Sequence, residues 1–183
     1  MSDIFFTSDQ HFNHANVIKY CDRSYETVEK MDRDLINQWN NTIGEKDIVY
    51  HLGDFTLGNA KIAGKYFYQL NGNIFILNNP YHHDNRWIGG KFYSKTSEVR
   101  YLPSFFIIKE FNPEIVLFHY PIAQWDKKHY GSWHLHGHSH GNYSAPDGFI
   151  LDVGVDNIFK LFGQYRPISF EEVKKYMEGL KGE

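Results

Sequence analysis

Ile4-Phe5-Phe6-Thr7 runs without a break into Ser8-Asp9-Gln10-His11-Phe12-Asn13-His14. Consecutive apolar and β-branched residues mark a short strand buried on both faces, so the polar group behind it must lie at the strand's C-terminal edge. The same unit recurs along the chain. Ile48 to Leu52 ends in Gly53-Asp54, Ile74 to Leu77 in Asn78-Asn79, and Ile115 to Phe118 in His119. Trp133 to His136 leads into Gly137-His138-Ser139-His140, while Phe105 to Ile108 and Phe149 to Val153 read as further strands. Within Tyr25 to Trp39, Val28, Met31, Leu35 and Trp39 recur at helical spacing, which predicts an amphipathic helix. Pro167 and the capping-box pattern Ser169-x-x-Glu172 open another helix through about Met177, with Gly179 as its stop. Buried strands mixed with amphipathic helices predict an α/β layered sandwich, in which ligands gather where strand ends meet loops.

The 183 residues suit a single domain over 1–183 with a substantial core, and no linker, repeat or low-complexity tract divides them. Apolar residues at 42% and charged residues at 22% are ordinary for a globular chain. A formal charge of -3 gives no general attraction to nucleic acid or anionic membrane, so stable nucleic-acid binding is not expected. Cys21 is the only cysteine, which excludes an intramolecular disulfide and fits a cytoplasmic setting. The opening segment is too short in apolar residues for a signal peptide, and no stretch is apolar enough to span a bilayer. Histidine is the outlier, with six of its eleven residues between His119 and His140.

Asp9, His11, Asp54, an Asn at 78 or 79, His119, His138 and His140 all follow strands. Seven oxygen and nitrogen donors suit two divalent ions such as manganese, iron, zinc or nickel, while the lack of thiolates argues against soft metals. Two ions about 3.5–4 Å apart clamp a phosphate, activate a water and neutralise charge during in-line attack. Each piece alone has a plainer reading. Asp9-x-His11 and Gly53-Asp54 are ordinary cap or turn sequences, and His119 taken singly reads as a satisfied core histidine. Four imidazoles at spacing two, from His134 to His140, are harder to explain structurally. The ordered combination carries the metal reading.

That combination resembles the calcineurin-like metallophosphoesterase signature, and most closely its small bacterial and phage branch. The likeness rests on Ser8-Asp9-x-His11-Phe12-x-His14, His51-Leu52-Gly53-Asp54-Phe55, His119-Tyr120-Pro121 and Trp133-His134-Leu135-His136-Gly137-His138. The resemblance implies a four-layer α/β/β/α sandwich of two mixed sheets flanked by helices. It implies Asp9, His11 and His140 on one metal (Mn2+, Fe2+/Fe3+, Zn2+ or Ni2+), Asn79, His119 and His138 on a second, and Asp54 bridging. It further implies hydrolysis of a small phosphodiester or phosphomonoester, nucleotides included, by a metal-bridging hydroxide. The alternatives are a degenerate, non-catalytic metal-binding module of the same fold and another histidine-rich metallohydrolase. Against the latter, His136-x-His138-x-His140 lies late in the chain and is followed by Gly141-Asn142.

One motif departs from the family pattern. Where the family carries Gly-Asn-His-Asp, this chain reads Asn78-Asn79-Pro80-Tyr81-His82-His83-Asp84, so proline stands at the position of the general acid. The expected substitute is His82, with His83 as second choice and Asp84 orienting one of them. Softer expectations are a phosphate contact or a surface salt bridge for Arg23, phosphate-facing His14 and Asn16, and ligand-orienting His51 and His136. Trp125, His129, Tyr130 and Trp133 offer either a stacking wall or simple core packing.

Overall fold

Alternation along the first strand, β1 (Ile4–Thr7), feeds two cores: Phe5 joins one apolar cluster and Phe6 the other. The computed structural model describes residues 2–79, 83–144 and 147–180. Two helices intervene before the next strand, the short α1 (Ala15–Tyr20) and the longer α2 (Val28–Thr42). Then come β2 (Ile48–His51), α3 (Ala60–Phe67), β3 (Asn73–Asn78) and β4 (Arg100–Pro103). The chain continues through β5 (Phe105–Ile108), β6 (Ile115–Phe118), β7 (Trp133–His136), β8 (Phe149–Asp152), α4 (Val155–Phe162), β9 (Ile168–Ser169) and α5 (Phe170–Gly179).

The strands form two mixed sheets flanked by helices, an α/β sandwich. One sheet has the order β4-β3-β2-β1-β9, parallel except for β9, and the other has the order β5-β6-β7-β8, parallel except for β5. Met31, Leu35 and Trp39 of α2 and Ala63 and Phe67 of α3 cover one face of the first sheet over Val49, Ile74 and Ile76. Its other face supplies Phe6 and Leu77, which share a cluster with Ile115, Leu117, Trp133 and Leu135 of the second sheet. Trp125 and Trp133 are thus core residues and Tyr130 is exposed, so the packing alternative holds and the stacking wall does not form.

The second helix begins at Val28 rather than Tyr25 because Thr27 caps it, its hydroxyl accepting from the Lys30 N–H at 3.3 Å. The capping box at Ser169 and Glu172 forms in full. Helices α1, α3 and α4 and strands β4 and β9 carry weak sequence signals: α3 contains Gly64, β4 ends on Pro103, and β9 has only two residues. Because β1, β2 and β3 run parallel, as do β6, β7 and β8, their C-terminal ends and following loops collect on one side of each sheet. A parallel bridge between Ser8 and Gly154 joins the two sheets at that end.

Candidate metal centre

The loops behind β1 and β2 are laced together by backbone hydrogen bonds. Asp9 N–H donates to the Gly53 carbonyl at 3.1 Å, His11 N–H to Asp54 at 3.0 Å and Phe12 N–H to Phe55 at 2.9 Å. The second sheet docks onto this pair through His138 N–H, which donates to Asp9 Oδ2 at 3.0 Å. Gly137 permits that approach, since a Cβ there would lie 2.3 Å from both Asp9 Oδ2 and Ser8 Oγ.

Metal-ligating atoms of Asp9, His11 and His140 lie within 4.8 Å of one another, and so do those of Asp54, His119 and His138. Asp54 sits between the two groups: its Oδ2 is 3.6 Å from Nε2 of His11 and 3.6 Å from Nε2 of His119. Asn79 follows β3, buried at the same end of the first sheet. His83, half-exposed, brings its Nε2 to 3.9 Å from Asp54 Oδ2 and completes a third group with His11 and Asp54. His82 lies outside the described residues.

The backbone marks the same residues. Of the eight non-glycine residues with left-handed φ among those described, five are Asp9 (62°), His11 (53°), Asp54 (55°), His138 (67°) and His140 (49°). Such a conformation costs about 1 kcal/mol for a residue with a Cβ and persists where surroundings over-determine it, as at functional sites. The side chains tell the same story electrostatically. Asp9 Oδ1, Asp54 Oδ1 and both ring nitrogens of His11 are buried with no hydrogen-bond partner among the described residues. Burying such atoms unsatisfied is costly, whereas bound cations would engage the carboxylate oxygens and one nitrogen of His11. The donor set therefore fits two borderline or hard cations. Burial lifts the Asp9 carboxyl to about 6 and pushes the His11 imidazolium far below its ordinary range. At Asp54 burial acts the same way, but His119, His11 and His83 outweigh it and hold the carboxyl below its ordinary range. Negative charge on Asp54 is thus stabilised by the imidazoles around it.

Several expectations need correction. Arg23 neither faces the cleft nor pairs at the surface; it is buried, pairing with Asp156 through Nε at 2.7 Å and Nη2 at 2.8 Å. Asp84 has a role beyond the one expected of it: its buried carboxylate accepts from the backbone N–H groups of Phe55, at 3.0 Å, and Thr56, at 3.1 Å, and so pins the loop carrying Asp54. Asn16 is exposed, while the His14 ring lies 5.5 Å from that of His11. His51 does support the site, accepting from the Gly53 N–H at 3.1 Å on one ring nitrogen and meeting Gln10 Oε1 at 2.5 Å on the other. Asp152, unremarked in the sequence, holds the loop of His138 and His140 through Ser139 Oγ at 2.6 Å and Gly141 N–H at 2.8 Å. Asp152 and Asp156 repeat the pattern of an acid behind a buried strand, here β8, and that was the available signal.

No family model matches the chain. The uncharacterized protein MJ1445 of Methanocaldococcus jannaschii is 37% identical over 188 residues, spanning 97% of this chain and 93% of that protein. The gene 66 protein of Mycobacterium phage D29 matches more locally, 34% identical over 80 residues, which is 44% of this chain and 36% of the phage protein. Among solved structures, the protein of unknown function AQ665 from Aquifex aeolicus superposes with a TM-score of 0.69 over 96% of this chain and 100% of its own, at 20% identity. That likeness is one of fold. No helix among the described residues is long and apolar enough to cross a membrane.

Proposed function

We propose that this chain, which belongs to the same family as the uncharacterized protein MJ1445 of Methanocaldococcus jannaschii, is a two-metal-dependent phosphoesterase of the calcineurin-like kind. The observation that carries the reading is the meeting of six donors from loops of both sheets, with buried carboxylate and imidazole atoms that the described residues leave without a hydrogen-bond partner. Asp9, His11 and His140 would hold one ion, and His119 and His138, with Asn79 as the proposed third ligand, the other; Asp54 would serve both. When bound, such a pair supplies a nucleophilic water at neutral pH and neutralises the charge developing on a phosphoryl group.

The chain's own groups then divide the remaining work. Asp84 and His51 keep the Gly53–Asp54 turn fixed, so the shared carboxylate does not swing away when charge builds. Burial of Asp9 and Asp54 excludes water from all but the open side of the cluster, where half-exposed His83 stands. His83 and its neighbour His82 are the candidates to deliver a proton to the leaving oxygen, a contribution of about 10²–10⁴-fold for poor leaving groups. A small phosphate ester, a nucleotide among them, is the substrate class, and the single cysteine, Cys21, fits an enzyme of the cytoplasm.

The test is hydrolysis of bis-nitrophenyl phosphate and nitrophenyl phosphate by metal-stripped protein, before and after adding Mn2+, Ni2+ or Zn2+, with Asp54→Asn protein as control. Turnover restored by metal in wild type alone is the expected result, and the ratio of diester to monoester rates would narrow the substrate. Stoichiometric metal binding without turnover would overturn the enzyme reading in favour of a non-catalytic metal-binding module.

A further inference from the structure

The two halves of the centre are supported by different chemistry. Behind Asp9, His11 and His140 lies a buried ion pair formed by residues 133 positions apart, Arg23 after α1 and Asp156 in the first turn of α4. Arg23 also reaches the backbone of this half-site, donating from Nη2 to the Asp9 carbonyl at 2.8 Å and from Nη1 to the neighbouring Gln10 carbonyl at 2.9 Å. Asp156 Oδ2, already bonded to Arg23, accepts from His140 Nδ1 at 2.6 Å, so only Nε2 of that ring remains to face an ion. One rigid unit thus fixes the backbone of one ligand and the ring of another. In the other half, the ring nitrogen Nδ1 of His119 meets a neutral acceptor, the Leu52 carbonyl, at 3.2 Å.

A buried ion pair is a poor device for stability, since well-packed apolar residues of similar volume often serve as well or better. Its position calls for another role. We propose that Arg23 and Asp156 are positioning residues that preorganise the Asp9/His11/His140 half-site, so that the two ions are held unequally and this half fills first. The inference rests on the two-metal reading above. The guanidinium keeps Asp9 in its left-handed conformation through the carbonyl, and the Asp156 carboxylate aims the His140 ring and makes it a stronger donor.

The experiment is calorimetric titration of metal-stripped protein with Mn2+, comparing wild type with the Arg23→Met/Asp156→Leu double variant, which removes both charges so that neither is left buried alone. Wild type should take up two equivalents of unequal affinity. The double variant, folded by circular dichroism, should weaken one of them by about 10–100-fold and leave the other in place. In a His138→Ala background, where the half-site of Asp9, His11 and His140 alone remains complete, the double change should weaken the single remaining event by the same factor. Should the double variant not fold, Arg23→Lys keeps the charge but not the fork, and should weaken the same equivalent selectively by a smaller factor. Both equivalents unchanged, or both weakened alike, would overturn the positioning role while leaving the two-metal reading standing. Wild-type protein that binds no Mn2+ would instead sink the two-metal reading, and this inference with it.

Discussion

His134 and His136 share a short stretch with His138 and His140, yet the two pairs meet opposite fates. The first pair sits on β7, where alternation sends Trp133 and Leu135 between the sheets and both histidines to the other face. There His134 is fully buried and satisfied by backbone: its Nε2 accepts from the Ile122 N–H at 3.3 Å, and Nδ1 donates to the Val116 carbonyl at 3.2 Å. His136 Nδ1 donates to the Gly137 carbonyl at 2.8 Å. The second pair lies past the strand's end in left-handed backbone, partly exposed, with each ring in a cluster of carboxylates and imidazoles. One residue type at one spacing therefore does structural work inside the strand and faces the cleft beyond it. The strand boundary decides which.

The comparison breaks most visibly at the group shared by the cleft. Asp54→Asn should reduce phosphodiester hydrolysis to the level of metal-stripped protein and weaken both metal-binding events, because both donor groups meet at that carboxylate. Retention of wild-type turnover in that variant would refute the centre as drawn. Next in size is the contrast between the histidine pairs themselves. His140→Ala should abolish metal-restored turnover with little change in unfolding temperature, whereas His134→Ala should keep metal binding and lose about 2–3 kcal/mol of stability, measured by urea unfolding. The loss at His134 combines a cavity with a stranded Ile122 N–H.

Acid sharpens the same contrast. Burial, chiefly, lowers the His134 pKa from its ordinary 6.5 to about 4, so between these values the unfolded chain takes up a proton that the folded one refuses. Stability contributed by neutral His134 is thus intact above pH 6.5 and falls as pH drops toward 4, by up to about 3 kcal/mol. A His134→Gln variant should lose less across that window, and equal acid sensitivity in the two proteins would remove His134 from the account. The smallest effect lies far from the centre. Arg166, foremost, with the Ser169 backbone and hydroxyl, lowers the Glu172 carboxyl from 4.5 to about 2, against some opposition from burial. Its contribution is present above pH 4.5 and fades as pH falls toward 2. Glu172→Gln should therefore cost about 0.5–1 kcal/mol at pH 7 and nothing near pH 2, with turnover unaffected.

How much of this was legible in the residues follows from where each signal resides. β1, β5 and β6 stand where continuous apolar runs put them, and β7 where Trp133 and Leu135 alternate with His134 and His136, because each pattern is local to its strand. Arg23 was misread because its partner is Asp156, far away in the chain, and nothing local distinguishes a guanidinium in a buried pair from one on a helix end. The hold of Asp84 on the Asp54 loop went unseen for a related reason: adjacency suggested a histidine partner, while the backbone N–H groups of Phe55 and Thr56 come from a segment distant in the chain.

The sequence by itself determined the strands other than β4 and β9, the capped last helix and the rule that a polar donor follows the buried runs of the cluster, since these rest on periodicity and on local hydrogen bonding. Only the tertiary structure decided that the loops of two sheets meet edge to edge, that five donor residues adopt left-handed backbone, and that Arg23 and Asp156 stand behind one half of the cluster and not the other. Those features depend on contacts between residues far apart in the chain, such as Ser8 with Gly53, 45 positions on, and Arg23 with Asp156, 133 positions on, and no local pattern encodes a partner at that distance.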